Sequence, residues 1–417
     1  GILRRRPESR KNRECDPYRV SGSGRIRLRG GSKMLKSGTY TQLAPILFGN
    51  GCAGQAGEAV GNLGCKKVLL VSDEGVLAAG AVETVKKALL GAGIQVIVWA
   101  EAQTDCPEDT VKAAAAIGRN ESVDGVVGVG GGSVLDTAKA VSAVIPNDDQ
   151  VLDDIVLYLS GQKNYANQPL PVIEIPTTAG TGSESTFGAV VTSEKLDCKI
   201  GLPVPPAYGI VDSELTKTVP SYITAFTGMD ALSHANESLT EQTNTPHSDL
   251  LAYEAIRLIK ENLPLAVEDG TDMEARDRLA FASNIAGISF NESGVHIGHS
   301  AAHALGHLYH IPHGVCCANM TPAIIKFAAK TYPEKMKKLG NIKITSDDPE
   351  VIGTQAADAV RKFADSIGVK TFKELGLSKD QVLAAKPMFY GDPLCMAFGG
   401  EVTEQDVTDI LTDAYEG

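Results

Sequence analysis

VDGVVGVGGGSVLDTAKAVSAVI, residues 123–145, holds a strand, a glycine turn and a helix in 23 residues. Its first part is a short valine-rich run, the pattern of a strand buried on both faces. Gly130, Gly131 and Gly132 interrupt it, and apolar residues then recur at helical spacing. Related units lie on either side. KKVLLVSDEGV (66–76) reads as a strand ending near Asp73, followed by a helix over roughly 78–92. IQVIVWA (94–100) reads as a strand, and CPEDTVKAAAAIGRN (106–120) as a helix with Pro107 in its first turn. PVIEIPTTAGTGSES (171–185) is a strand running into a Thr/Gly loop. Alternation of strand and helix predicts a parallel sheet covered by helices. GAVVT, CKIG and GIVD, between Phe187 and Asp212, read as short strands that include a hairpin. After Pro220 the period changes to helical, with segments expected near 221–240, 247–262, 271–289, 298–309, 314–330, 349–366 and 403–415. The 417 residues exceed one ordinary core, so the chain divides into 34–218 and 219–417.

The glycine turn also has chemical meaning. Glycines let backbone amides approach a pyrophosphate, and the start of a helix favours negative charge. Asp73, at an earlier strand end, is placed to accept hydrogen bonds from ribose hydroxyls. Its charge would repel a 2′-phosphate, which favours NAD over NADP. Thr177, Thr178, Gly180 and Thr181 form a second polar loop after a strand.

All eight histidines lie between residues 234 and 313. GMDALSHANE (228–237) sets Asp230 and His234 four apart, and VHIGHSAAHALGHLYHIPHG (295–314) does the same for His299 and His303. Side chains at i and i+4 share a helix face. His313, between Pro312 and Gly314, is expected at a turn or helix start. A carboxylate with several imidazoles suits a divalent first-row metal, iron(II) or zinc.

Residues 1–33 carry eleven Lys/Arg and three Asp/Glu, against 28 and 48 in the rest of the chain. So acidic a body argues against nucleic acid as the main partner. The basic segment lacks an apolar period. It reads as disordered or foreign to the fold, as an added start or an Arg-rich transit peptide. No apolar run has the length of a membrane span. Eight cysteines without CxxC pairs read as reduced thiols in a cytoplasmic protein.

GGGSVLDTAK (130–139), PTTAGTGSE (176–184), GMDALSHANE (228–237) and HSAAHALGHLYHIPHG (299–314) together resemble the iron-containing (group III) alcohol dehydrogenase family. The resemblance spans residues 40–415. It implies an α/β N-terminal dinucleotide-binding domain and an all-α C-terminal domain, the dehydroquinate synthase-like fold. It implies iron(II) (Fe2+), or Zn2+, held by Asp230, His234, His299 and His313, with His303 beside the nicotinamide. Cofactor contacts to NAD carry over to Asp73, Gly131, Gly132, Ser133, Thr177, Thr178, Thr181 and Lys199. Asp136 and Lys139 complete the glycine motif. The implied reaction is hydride transfer between a small primary alcohol or diol and NAD, in a homodimer or higher homo-oligomer.

The chain departs from the family pattern in places. Cys106 stands where relatives often have Asn. His296 stands where they have a small residue, and reads as a packing residue or as a substrate-pocket donor. His307 and His310 match no ligand position. A non-redox NAD- and metal-dependent lyase of the dehydroquinate synthase type would need a cluster of basic residues for its phosphorylated substrate, which the histidine stretch lacks. A non-catalytic metal- or nucleotide-binding protein would not need both an intact ligand set and an intact glycine loop.

Overall fold

The computed structural model describes residues 39–339 and 343–417. The reading of 1–33 as foreign to the fold lies outside these residues. The described residues belong to one compact unit.

Among the described residues, six strands make a parallel sheet: β1 (Ile46–Phe48), β2 (Lys67–Val71), β3 (Gln95–Trp99), β4 (Gly125–Gly130), β5 (Val172–Pro176) and β8 (Tyr208–Val211), in the order β1-β8-β5-β4-β2-β3. The antiparallel hairpin is β6 (Gly188–Ser193) and β7 (Cys198–Pro203). GIVD is therefore not part of the hairpin. It returns to the main sheet beside β5, and covers β1, a pairing with no local sequence signal.

Strand residues alternate between two cores. Leu69, Val71 and Val126 face one; Val68, Leu70, Val127 and Val129 face the other. Burial on both faces explains why these strands read as continuous apolar runs. Each fully buried Val or Leu contributes about 1.5–3 kcal/mol. The covering helices are α1 (Ala56–Asn62), α2 (Glu74–Ala79), α3 (Ala81–Gly91), α4 (Glu108–Asn120) and α5 (Gly132–Asn147), with two short helices, α6 (Gln150–Asp153) and α7 (Ile155–Leu159), after them. The helix expected over 78–92 is two helices. Gly80, at φ +89°, ends α2 in the left-handed conformation that glycine adopts without strain. Pro107 precedes α4 in extended backbone instead of lying in its first turn.

The chain leaves β2 for β3 on one side, then returns through α4 to place β4 on the other. That reversal opens a crevice at the carboxyl ends of β2 and β4, the usual ligand position in such sheets. Asp73 and Gly130–Gly132 stand at its two lips.

The helical half contains α8 (Ser221–Ser238), α9 (Pro246–Glu268), α10 (Met273–Ser293), α11 (Ile297–Tyr309), α12 (His313–Ala328), α13 (Pro333–Met336), α14 (Pro349–Ser366), α15 (Lys379–Ala384), α16 (Lys386–Gly391) and α17 (Glu404–Glu416), around a third core. Helix α9 opens with a Thr245/Ser248 capping box and continues through Pro264, beyond its expected end at 262. Packing of Ile256, Ile259, Leu263 and Ala266 in the core outweighs the hydrogen bond lost at Pro264.

Candidate metal and cofactor site

Helix α8 presents Asp230 and His234 one turn apart. Helix α11 brings His299 in its first turn, and His313 is the first residue of α12. All three imidazoles turn Nε2 toward a single carboxylate oxygen, Asp230 Oδ1. The distances are 3.8 Å from His234, 4.0 Å from His299 and 3.6 Å from His313. These are too long for hydrogen bonds. Donors sharing a tetrahedral ion at ~2.0–2.2 Å would lie about 3.3–3.6 Å apart, close to what is seen. Asp230 Oδ1 and His299 Nε2 are buried without a hydrogen-bond partner. Unpaired buried polar atoms are costly, and a cation at their centre would satisfy both. The donor set therefore fits a divalent metal.

The surroundings tune these groups. Glu237, also on α8, contacts His299 Nδ1 through Oε1 at 2.8 Å and accepts the His296 backbone N–H through Oε2 at 2.6 Å. This holds the His299 ring so that Nε2 faces the centre. Burial alone would raise the Glu237 carboxyl, but the His299 and His296 imidazoles outweigh it and hold it down to about 2. Burial lowers His299, yet Glu237 and Asp230 leave it above the usual histidine value. Burial brings His234 down to about 4 despite Asp230. Burial of most of its ring, with His299, His303 and Lys199 nearby, pushes His313 well down. Neutral imidazoles are the form that binds metal.

Glu237 was missed in the sequence, although a signal existed: 230, 234 and 237 share a face of α8 at i, i+4 and i+7. His296 is fully buried, with Nε2 2.8 Å from Thr240 Oγ1 and Nδ1 3.2 Å from Glu237 Oε2. It is a packing residue. His303 lies one turn beyond His299, its ring centroid 5.6 Å from that of His313. Its Nδ1 is 3.1 Å from Asp392 Oδ2. Burial alone would raise the Asp392 carboxyl, and the bond to His303 instead holds it below the usual range. His307, 3.4 Å from exposed Asp197, and His310, the left-handed cap of α11, lie outside the group.

Two family models match the chain: iron-containing alcohol dehydrogenase over residues 44–213, and the C-terminal part of the Fe-containing alcohol dehydrogenase family over residues 224–415. The chain is 32% identical over 377 residues to the NAD-dependent methanol dehydrogenase of Bacillus methanolicus, covering 88% of this chain and 97% of that protein. It is also 32% identical over 377 residues to 1,3-propanediol dehydrogenase of Klebsiella pneumoniae, covering 88% and 96%. The solved alcohol dehydrogenase from Oenococcus oeni superposes with a TM-score of 0.83 at 28% identity, over 90% of this chain and all of that one. The chain belongs to the iron-containing alcohol dehydrogenase family.

In this member of the family the two polar loops pack together at the carboxyl edge of the sheet. Gly131 caps α5, and a side chain on Gly132 would strike Thr181 Cγ2 at 2.5 Å. Thr177 N–H donates to the Gly130 carbonyl at 2.9 Å. The Thr/Gly loop also reaches the helical half: a Cβ on Gly180 would meet Thr227, and Gly182 lies against Gly287. One loop thus touches both the glycine turn and the helix that carries Asp230. Ser133 Oγ accepts from the Asp105 N–H at 3.0 Å, and Lys199 pairs with Asp105 at 2.6 Å. Cys106 is fully buried with φ +48°, in the backbone conformation an Asn adopts more readily. Lys139 is wholly buried and donates to Ser183, Thr186 and Gly188, so it braces the Thr/Gly loop from beneath. Asp73 Oδ1 accepts from Val76 N–H at 2.8 Å and caps α2, which leaves its second oxygen for another donor.

Proposed function

We propose that this protein is an NAD-dependent, iron(II)-type alcohol dehydrogenase and aldehyde reductase acting on a small primary alcohol or diol. The convergence of three imidazole Nε2 atoms and one buried carboxylate oxygen, with His303 one turn away, carries this reading. Asp230, His234, His299 and His313 would hold the metal, with iron(II) favoured by family and zinc the alternative. When bound, the metal supplies Lewis acidity at the substrate oxygen and the nicotinamide accepts the hydride. The chain's own residues do the placing. Gly131, Gly132 and Ser133 offer backbone and hydroxyl donors at the start of α5 for the pyrophosphate. Thr177, Thr178, Thr181 and Lys199 complete the bed, and Asp73 takes the ribose. His303, held by Asp392, orients the nicotinamide ring or relays the substrate hydroxyl proton. We assign 34–218 to cofactor binding and 219–417 to the metal, with the protein a cytoplasmic homodimer.

Steady NADH formation from short primary alcohols or diols, lost on chelation and restored by iron(II) or zinc, is the deciding measurement. Absence of turnover across such a panel, in protein that binds both metal and NAD, would refute the assignment.

Asp73→Ser is expected to relax coenzyme choice while keeping a cap on α2. The ratio of kcat/KM for NADPH over NADH should rise about tenfold, the equivalent of roughly 1.4 kcal/mol of like-charge repulsion. A wild-type protein that prefers NADPH would show this role to be misassigned. Light scattering should find a dimer or larger species at working concentration; a strict monomer would contradict the proposed assembly.

A further inference from the structure

Helix α12 carries a donor that the four-ligand assignment leaves out. Cys317 follows His313 by one turn, and its Sγ lies 3.4 Å from His313 Nε2, the nitrogen that faces Asp230. The donor atoms of Asp230, His299, His313 and Cys317 all lie within 4.8 Å of one another. His234 falls outside this closed quartet, although its Nε2 is 3.8 Å from Asp230 Oδ1. Cys317 is 1% exposed, and two atoms of the same quartet, Asp230 Oδ1 and His299 Nε2, are buried and unpartnered. The adjacent Cys316 differs. Its Sγ donates to the Ile311 carbonyl at 4.0 Å and is not among the clustered donor atoms of the described residues.

We propose that Cys317 supplies a sulfur ligand to the metal of this site in addition to Asp230, His234, His299 and His313. This rests on the reading that the pocket holds a divalent cation. A sulfur at ~2.3 Å from an ion that also binds His313 nitrogen at ~2.0–2.1 Å would lie about 3.5 Å from that nitrogen, which matches the observed contact. The thiol proton leaves to solvent when sulfur binds, and the thiolate adds a second negative charge beside the Asp230 carboxylate. Thiolate is a soft donor that favours zinc over mononuclear iron(II), whereas imidazole and carboxylate alone leave the two closer in affinity. Sulfur therefore shifts this centre toward zinc relative to one built from three imidazoles and a carboxylate.

The test uses the full-length protein, stripped with chelator and reloaded. With cobalt(II), wild type should show the visible bands of a low-symmetry site together with a near-ultraviolet sulfur-to-cobalt charge-transfer band. Cys317→Ala should lose the near-ultraviolet band and keep the visible ones, while Cys316→Ala keeps both. Preference for zinc over iron(II), measured by competition and elemental analysis, should fall about tenfold or more in Cys317→Ala and in Cys317→Ser. X-ray absorption on zinc-loaded wild type is independent of any variant's folding and should show a sulfur neighbour at ~2.3 Å. Visible cobalt bands without the charge-transfer band, or a zinc shell of nitrogen and oxygen alone, overturn the Cys317 assignment and leave the metal reading standing. Failure to bind cobalt or zinc at all overturns both.

Discussion

His299→Ala is expected to empty the metal site and stop turnover. His299 Nε2 is 4.0 Å from Asp230 Oδ1 and is held in that direction by Glu237 on its other nitrogen. Removing the ring takes away a donor and leaves Glu237 buried without its 2.8 Å partner. His234→Ala, His313→Ala and Asp230→Ala should behave alike, since each removes one arm of the same centre. Asp230→Ala also removes the charge that offsets the cation. Elemental analysis after reconstitution should find far less than one metal per chain. Loss of Lewis acidity is worth several kcal/mol, and at about 1.4 kcal/mol per tenfold this predicts a fall in kcat of ~10³ or more. His307→Ala and His310→Ala serve as controls. Both lie at the far end of α11 and should keep metal and most activity. Full metal content in His299→Ala would remove that residue from the ligand set.

His303→Ala should keep the metal and lose turnover. The residue is one turn beyond His299, and its Nδ1 is engaged by Asp392 at 3.1 Å. The other ring nitrogen is thereby left free for the role proposed for it beside the nicotinamide. A general acid–base role is worth about 10²–10⁴-fold in kcat, and a purely orienting role less. Metal content therefore separates the two adjacent histidines better than activity alone, because both variants are slow. If His303→Ala strips the metal while His299→Ala retains it, the two roles are exchanged and the centre moves by one helical turn.

Local geometry was legible in the sequence. Strand–helix alternation through 66–185 implied the parallel sheet, because a strand buried on both faces and a helix have different apolar periods. Asp230 and His234 could be placed on one face of α8 because 3.6 residues per turn brings i and i+4 together wherever the helix packs. The same rule applied to His299 and His303, yet it paired the wrong two for one centre. Both face the site, but only His299 Nε2 points at Asp230 Oδ1, while His303 is turned to Asp392, 89 residues away. Which nitrogen faces which oxygen depends on how α8, α11 and α12 cross, and no spacing along the chain encodes that. Asp392 had no sequence signal for this reason, and Glu237 and Cys317 had only their helical spacing from Asp230 and His313. The same distinction separates β6–β7 from β8. A hairpin is a local event whose register follows from a short turn, whereas β8 pairs with β1 across more than 160 residues and with β5 through the packed sheet. Periods and helix faces are properties of a few consecutive residues, so the sequence alone determined the long elements and most candidate donors. The candidate metal centre depends on three helices distant in sequence, α8, α11 and α12, packing into one core, and the tertiary structure alone decided which donors meet there.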